Sequence, residues 1–193
     1  MRYRNLLPAM MAFALAFVLV PVKAFAVERA VAEFIDTQGR SIGRANLEET
    51  PHGVLLTIRV DGLSPGPKAF HIHERGTCED PEAEFDAAGA HLGSATAKHG
   101  LRHPEGPEAG DLPNLVAGED GAVRAELFTT MVSLGGAEGR TTMLDEDGAA
   151  LVIHEDADDH FSQPIGGAGS PVACGVIVAV ATPADQNHES AGN

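Results

Sequence analysis

Short apolar segments separated by turn residues are the feature that most restricts the fold of this chain. The clearest segment covers residues 54–61, where one face carries Val54, Leu56, Ile58 and Val60 and the other carries polar residues. A two-residue period of this kind is typical of a β-strand with one buried face. No long amphipathic helical pattern follows residue 27. The sequence therefore predicts an all-β sandwich or barrel.

Seven further strands are predicted along the chain. One contains His71 and His73, and the others span residues 27–35, 41–49, 112–117, 122–128, 149–154 and 171–181. Pro171 suits the first position of a strand, where no backbone donor is needed. Glu119-Asp120-Gly121 predicts a hairpin turn between two of these strands. Residues 75–110 and 155–170 lack strand periodicity, and loops of this length in a compact domain are usually functional.

The first 26 residues have the pattern of a cleaved signal peptide. Arg2 and Arg4 precede an apolar run over residues 6–20, and Ala24-Phe25-Ala26 supplies the small residues that signal peptidase accepts. The run is short for a membrane span, which favours removal over anchoring. We therefore predict a signal peptide over 1–26, one domain over 27–182 and a solvated tail over 183–193. The style of the signal indicates the periplasm.

Export and charge restrict the chemistry of the mature protein. The only cysteines, Cys78 and Cys174, would meet an oxidising compartment, so a disulfide is expected, with two free thiols as the alternative. The net charge is −15, and removing the signal's three basic residues makes it −18. This charge opposes binding to nucleic acid or to anionic membranes. We expect neither as a partner after signal cleavage.

Histidines indicate a metal site. In Ala69-Phe70-His71-Ile72-His73-Glu74, an extended backbone places His71 and His73 on one face and the two apolar residues on the other. Two imidazoles on one face form half of a transition-metal site, although such a pair alone is more often an ordinary surface or core pair. Three more histidines in the first long loop and His154 at a strand end strengthen the metal interpretation.

Nine motifs follow one another along the mature chain: Gly62-Leu63, Phe70-His71-Ile72-His73-Glu74, Gly89-Ala90-His91, Lys98-His99-Gly100, Gly110-Asp111-Leu112, Leu151-Val152-Ile153-His154-Glu155, Ala157-Asp158-Asp159, Gly166-Gly167-Ala168-Gly169-Ser170 and Ala173-Cys174-Gly175-Val176-Ile177. Taken in this order, they resemble the copper–zinc superoxide dismutase family over most of the mature chain. The resemblance implies an eight-stranded Greek-key β-barrel or sandwich with two long functional loops.

The resemblance also implies a role for each matching residue. His91 would bridge copper to zinc as an imidazolate, Asp158 would orient ligand histidines on both metals, and Cys78 would pair with Cys174. The implied copper ligands are His71, His73, His91 and His154, and the implied zinc ligands are His91, His99 and Asp111.

The activity that the resemblance implies is disproportionation of superoxide into oxygen and hydrogen peroxide. His91 would take up a proton when copper is reduced and return it to the forming peroxide. Zinc would hold this ring without a redox role of its own. The substrate would be superoxide, and a homodimer is compatible with the family, in which dimer contacts vary.

Two positions depart from the family pattern. Glu108 stands where the family has its third zinc histidine, and Pro171 stands where it has an active-site arginine. A carboxylate can coordinate zinc, so Glu108 is the possible fourth ligand, with His103 as its rival. The alternatives to the enzyme are a secreted copper- or zinc-binding protein with little catalysis and, more weakly, a plain structural barrel. His52, His160 and His188 are expected to be ordinary core or surface residues.

Overall fold

Residues 27–180 are described by the computed structural model, so the predicted signal peptide and the 183–193 tail lie outside the described residues. Within this range the chain forms strands and almost no helix. The strands are β1 (Arg29–Asp36), β2 (Ser41–Thr50), β3 (Gly53–Val60), β4 (Gly66–Lys68), β5 (Phe70–His73), β6 (Leu115–Ala117), β7 (Val123–Thr129), β8 (Val132–Ser133), β9 (Thr141–Thr142), β10 (Ala150–His154) and β11 (Pro171–Ala179). No helix among the described residues is long and apolar enough to cross a membrane.

Seven strands form one curled antiparallel sheet, in the order β5-β10-β11-β1-β2-β3-β7. Two small pairs, β4 with β6 and β8 with β9, lie outside it. The all-β prediction is confirmed. Ala69 alone separates β4 from β5, so these two correspond to one predicted strand, whereas the two-residue strands β8 and β9 were not predicted.

The predicted alternation on β3 is confirmed by burial. Val54, Leu56, Ile58 and Val60 are fully buried, and Arg59 between them is exposed. On β5, Phe70 and Ile72 join the same apolar core. A second, smaller apolar cluster surrounds the cysteines and contains Phe85 and Val152. The first core supports the back of β5, and the opposite face of that strand is left to its histidines.

The predicted hairpin between β6 and β7 is wrong. The tight turn exists, because the Gly118 N–H donates to the carbonyl of Ala122 at 2.9 Å. The strands on either side then separate, since β6 pairs with β4 and β7 pairs with β3. The turn residues determine only a local reversal of the chain, and the burial of each strand's apolar face determines its partner. The turn predicted over residues 64–67 extends too far, because β4 already begins at Gly66.

Two long loops lie between the strands, as predicted. The segment between β5 and β6 contains only two short 3₁₀ turns, Pro81–Ala83 and Asp86–Ala88. A disulfide between Cys78 and Cys174 ties this loop to β11, with the two Cα atoms 5.8 Å apart. Because 96 residues separate the cysteines, the bond stabilises the fold by roughly 4–5 kcal/mol in the chain-entropy model. It also holds the first loop against the sheet.

Candidate metal centre

Four imidazoles converge at one end of the curled sheet. His71 and His73 project from β5, and His154 is the last residue of β10, the neighbour of β5 in the sheet. His91 belongs to the first loop and is brought in by a backbone bridge to His73. Each of the four rings offers a nitrogen that lies within 4.8 Å of those of the other three. The structure thus brings together all four histidines that the resemblance implies for copper.

Each of these rings has one nitrogen held by the protein and one without a partner. The Nδ1 atoms of His73 and His154 lie 2.8 Å and 3.1 Å from the carbonyls of Gly89 and Gly169. Since a carbonyl only accepts hydrogen bonds, both rings carry their proton on Nδ1 and present a bare Nε2 lone pair. His71 is held instead through Nε2.

The remaining nitrogens are buried and have no hydrogen-bond partner among the described residues: Nδ1 of His71 and Nε2 of His73, His91 and His154. Leaving buried polar atoms unpaired costs free energy, so each requires a reason. A metal ion between the four lone pairs supplies that reason, and imidazole is a good ligand for copper and for zinc. The residues present therefore fit a bound metal.

Burial keeps three of these rings, His71, His73 and His154, neutral. Desolvation lowers the pKa of His71 to about 4, against the opposing hydrogen bond to Asp158. It lowers the pKa of His154 to about 3, and it holds the pKa of His73 well below its usual value, helped by the nearby His91. At neutral pH the lone pairs are therefore free for a metal without the loss of a proton.

A second group of ligand atoms shares His71 and His91 with the first. The group comprises His91, His99 and Asp111, together with His71. His71 is already engaged at Nε2 by Asp158, and its other nitrogen faces the first group. Glu108 is not among these four, but its Oε2 lies beside two of them, 2.9 Å from His91 Nδ1 and 3.8 Å from His99 Nδ1.

The spacing of these atoms suits a tetrahedral ion. Asp111 Oδ1 lies 2.7 Å from His99 Nδ1 and 3.7 Å from His91 Nδ1. A tetrahedral zinc site with ligand bonds of about 2.0–2.1 Å has ligand–ligand distances of about 3.3–3.4 Å. Four of the six ligand–ligand distances, those between a nitrogen and an oxygen, are 2.7 to 3.8 Å and bracket this value. Two nitrogens and two carboxylate oxygens thus form a donor set that zinc accepts.

The charges around His99 favour a cation. Burial by itself lowers the pKa of His99, but hydrogen bonds with Asp111, Asp158 and Glu108 outweigh it and raise the pKa to about 11. Burial raises the pKa of Glu108, yet its contacts with His91 and His99 lower it to about 2. The Glu108 carboxylate is therefore ionised, and a dication can replace the proton that His99 otherwise holds.

Asp158 connects the two groups. Its Oδ2 lies 3.0 Å from His71 Nε2, and its Oδ1 lies 3.1 Å from His99 Nε2. Burial raises the pKa of Asp158, and the two imidazoles more than reverse this and lower it. One carboxylate therefore orients a ring from each group, in the position that the resemblance implied.

Three further residues at this connection were missed in the sequence. Asn114 brackets the backbone of Asp158, accepting from its N–H at 2.9 Å and donating to its carbonyl at 2.8 Å. Gly166 packs so closely that an added Cβ would lie 1.7 Å from Asp158 Oδ1. His160, expected to be an ordinary residue, contacts the same carboxylate. Of the three, only Gly166 was part of a family motif in the sequence, and no role was predicted for it.

The remaining histidines lie elsewhere. His103 is half-buried, its Nδ1 accepts the backbone N–H of Glu105, and its ring stacks near Phe161 at a centroid distance of 5.4 Å. It belongs to neither ligand group. His52 is exposed in the turn between β2 and β3, as expected, and His188 lies outside the described residues.

The position of the missing arginine lies beside the first group. Pro171 is the first residue of β11, as predicted, and is the partner of His154 across an irregularity in the β10–β11 pairing. Arg75, Lys98 and Arg102 are exposed on the first loop. Lys68 is only 5% exposed, and its Nζ donates to the carbonyl of Glu155 at 2.6 Å.

Comparison with known proteins agrees with this geometry. The family profile described as copper/zinc superoxide dismutase matches residues 41–177. A superoxide dismutase [Cu-Zn] of Caulobacter vibrioides is 51% identical over 140 residues, covering 72% of this chain and 79% of that one. A second, from Aquifex aeolicus, is 46% identical over 150 residues, covering 77% and 86%.

Solved structures of superoxide dismutase and superoxide dismutase-like proteins are also similar to this chain. A double mutant of a SOD-like protein from Bacillus subtilis superposes with a TM-score of 0.72 at 36% identity, covering 77% of this chain and 97% of that one. The Cu/Zn superoxide dismutase from Brucella abortus gives 0.60 at 29% identity, covering 78% and 100%. With a matching profile, close relatives and two buried ligand groups that share a histidine, the chain belongs to the copper/zinc superoxide dismutase family, oxidoreductases that use copper and zinc.

Proposed function

We propose that the protein disproportionates superoxide into oxygen and hydrogen peroxide. Copper would be held by His71, His73, His91 and His154, and zinc by His91, His99, Asp111 and Glu108. The observation that carries the proposal is that the four rings of the first group each present a buried nitrogen without a protein partner among the described residues.

The two nitrogens of His91 serve different groups. Its Nδ1 lies 2.9 Å from Glu108 Oε2 in the second group, and its Nε2 faces the first group unpartnered. Copper bound there would supply the one-electron chemistry that oxidises one superoxide and reduces the next. The ring of His91 is held at its far nitrogen, so it can take a proton on Nε2 and deliver it in a fixed direction without turning.

The other three rings hold their positions through backbone carbonyls and Asp158. Their bare nitrogens would be occupied by copper, and in the metal-free protein burial already lowers their pKa values. His91 would therefore supply one of the two protons that hydrogen peroxide requires. Asp158, with its lowered pKa, stays an acceptor throughout.

The second candidate is an exported metal-binding protein with little catalysis. It is favoured by Pro171, which places no charge beside His154 for an anionic substrate. Both candidates act in the periplasm if residues 1–26 direct export, which their signal-like pattern and the bacterial relatives support. In both, we propose that the mature chain binds neither nucleic acid nor membrane. A homodimer is the oligomeric state to test.

Metal analysis and a superoxide-decay assay separate the two candidates. After native purification, one copper and one zinc per chain are expected. Superoxide should decay faster with this protein than with the same amount of copper bound to albumin. His154→Ala should abolish the decay while leaving the fold, because it removes one of four convergent nitrogens. The matched control is His52→Ala at an exposed histidine. Full activity in His154→Ala would contradict the copper assignment, and bound metal without any decay would select the second candidate.

A further inference from the structure

The carboxylate of Asp158 is shared by more than the two ligand histidines. Each of its oxygens receives one imidazole from a ligand group, His71 at Oδ2 and His99 at Oδ1. Each oxygen is also approached by a second group, and both of these groups belong to His160. The backbone N–H of His160 donates to Oδ1 at 2.6 Å, and its ring Nδ1 lies 3.2 Å from Oδ2.

Asn114 determines which nitrogen of His160 carries the proton. The Asn114 side chain accepts from the Asp158 N–H and donates to the Asp158 carbonyl, which fixes the orientation of its amide group. Its NH₂ group therefore also faces His160 Nε2, at 3.3 Å, so that nitrogen must accept. The ring proton is then on the buried Nδ1, which faces Asp158. The N–H does not align as a hydrogen bond, and the contact is a close electrostatic one.

The backbone of His160 is held in an unusual conformation. Its φ of +59° is left-handed, which a non-glycine residue adopts at a cost, although histidine is among the residues enriched there. The first loop holds this conformation, because the Arg102 N–H donates to the His160 carbonyl at 3.0 Å. Gly100 packs against the same carbonyl, and an added Cβ there would lie 2.3 Å from it. Strained backbone that the surroundings hold in place points to function.

We propose that His160 is a positioning residue that fixes the Asp158 carboxylate between the two metal groups. Its backbone N–H donates a hydrogen bond to Oδ1 and its ring Nδ1 makes a close electrostatic contact with Oδ2, so that the carboxylate is held against rotation away from both ligand histidines. Acting through Asp158, it sets the orientation of His71 and His99 together and so couples the geometry of one metal group to the other. The inference rests on the proposed metal sites and assigns His160 no contact with substrate or metal.

Three variants test this role in the full mature protein. His160→Gly keeps the left-handed backbone and its N–H but removes the ring. His160→Asn also tolerates the backbone and restores a side-chain donor toward Oδ2. His52→Ala is the matched control at an exposed histidine. The measurements are zinc affinity by competition with a chromophoric chelator, the Cu(II) electron paramagnetic resonance spectrum, and the melting temperature of the metal-free protein.

Zinc affinity in His160→Gly should fall about 10-fold, at the lower end of the loss seen when outer partners of metal ligands are changed. Its copper spectrum should shift as well, although three of the four proposed copper ligands are not zinc ligands, and His160→Asn should recover most of both properties. A lower melting temperature with unchanged zinc affinity and copper spectrum would overturn the proposal and leave His160 a structural loop residue. Wild-type protein that binds neither metal would overturn the metal assignment itself.

Discussion

Pro171→Arg tests whether the missing charge limits the rate. Pro171 is the partner of His154 across an irregularity in the β10–β11 pairing, and residues opposite one another on regular antiparallel strands have Cβ atoms about 4.5–5.5 Å apart, which sets the scale of the separation. A guanidinium at position 171 can therefore reach about 6 Å from the convergent nitrogens. At that distance it attracts a unit negative charge by roughly 0.7 kcal/mol at the dielectric of water and about 2.8 kcal/mol at an effective dielectric of 20.

These energies correspond to a roughly 3- to 100-fold rise in local superoxide. At 0.1 M salt the Debye length is about 10 Å, which reduces the smaller figure to roughly 2-fold. The wild-type mature chain, with no charge at Pro171 and an expected net charge of −18, has repulsion to screen, so its rate should not fall as salt is added. Pro171→Arg should be faster at low salt and should lose this advantage as ionic strength rises.

The assay is the second-order rate of superoxide decay against ionic strength. Two matched variants separate the effect of charge from the effect of replacing proline with a longer side chain. Pro171→Gln has a long polar side chain without charge and should behave like wild type, whereas Pro171→Glu should be slower at low salt. A steep fall of the wild-type rate with salt would show that another cation already guides the substrate, with Lys68 the first to examine. Equal rates in the arginine, glutamine and glutamate variants would refute the electrostatic reasoning.

Three further predictions concern the metal groups and stability. Glu108→Ala should weaken zinc binding by more than about 100-fold, beyond the usual effect of an outer partner, whereas His103→Ala should leave it unchanged in the same chelator competition. Gly166→Ala should destabilise the fold by about 1–3 kcal/mol more than Gly167→Ala in denaturant unfolding, because both glycines have left-handed φ but only an alanine at 166 would press on Asp158. The metal-free protein should lose stability as pH falls below about 6.5, the pKa of histidine in the unfolded chain. The loss should be up to about 1.4 kcal/mol per pH unit for each of His71 and His154, and it should level off near their folded pKa values of about 4 and 3. A melting temperature that does not change between about pH 4 and 7 would contradict this.

The zinc group could be identified only in part from the sequence. His99 and Asp111 were named from motifs, and the structure brings them to 2.7 Å of one another. For the fourth position the sequence left two candidates, since Glu108 and His103 lie five residues apart in one loop. Their separation in space depends on how that loop folds back onto His91. Glu108 is 5% exposed beside both imidazoles, and His103 lies outside beside Phe161.

The sequence by itself determined the longer strands and the direction of their side chains. On β3 and β5 the two-residue period separates core residues from the rest, because a strand's geometry is local. It also determined that His71 and His73 share a face. The resemblance then identified histidines from distant segments as members of one site.

Only the tertiary structure decided which segments meet. β2 has few apolar residues and a weak sequence pattern, yet it is a ten-residue strand because it is paired on both sides, by β1 and by β3. The turn between β6 and β7 predicts that these strands pair with each other, but β6 pairs with β4 and β7 with β3, again because tertiary pairing decides the partner. Asn114, His160 and Gly166 gather around Asp158 from segments up to 52 residues apart. Their contacts arise from the packing of two loops, and no local period or propensity encodes such contacts.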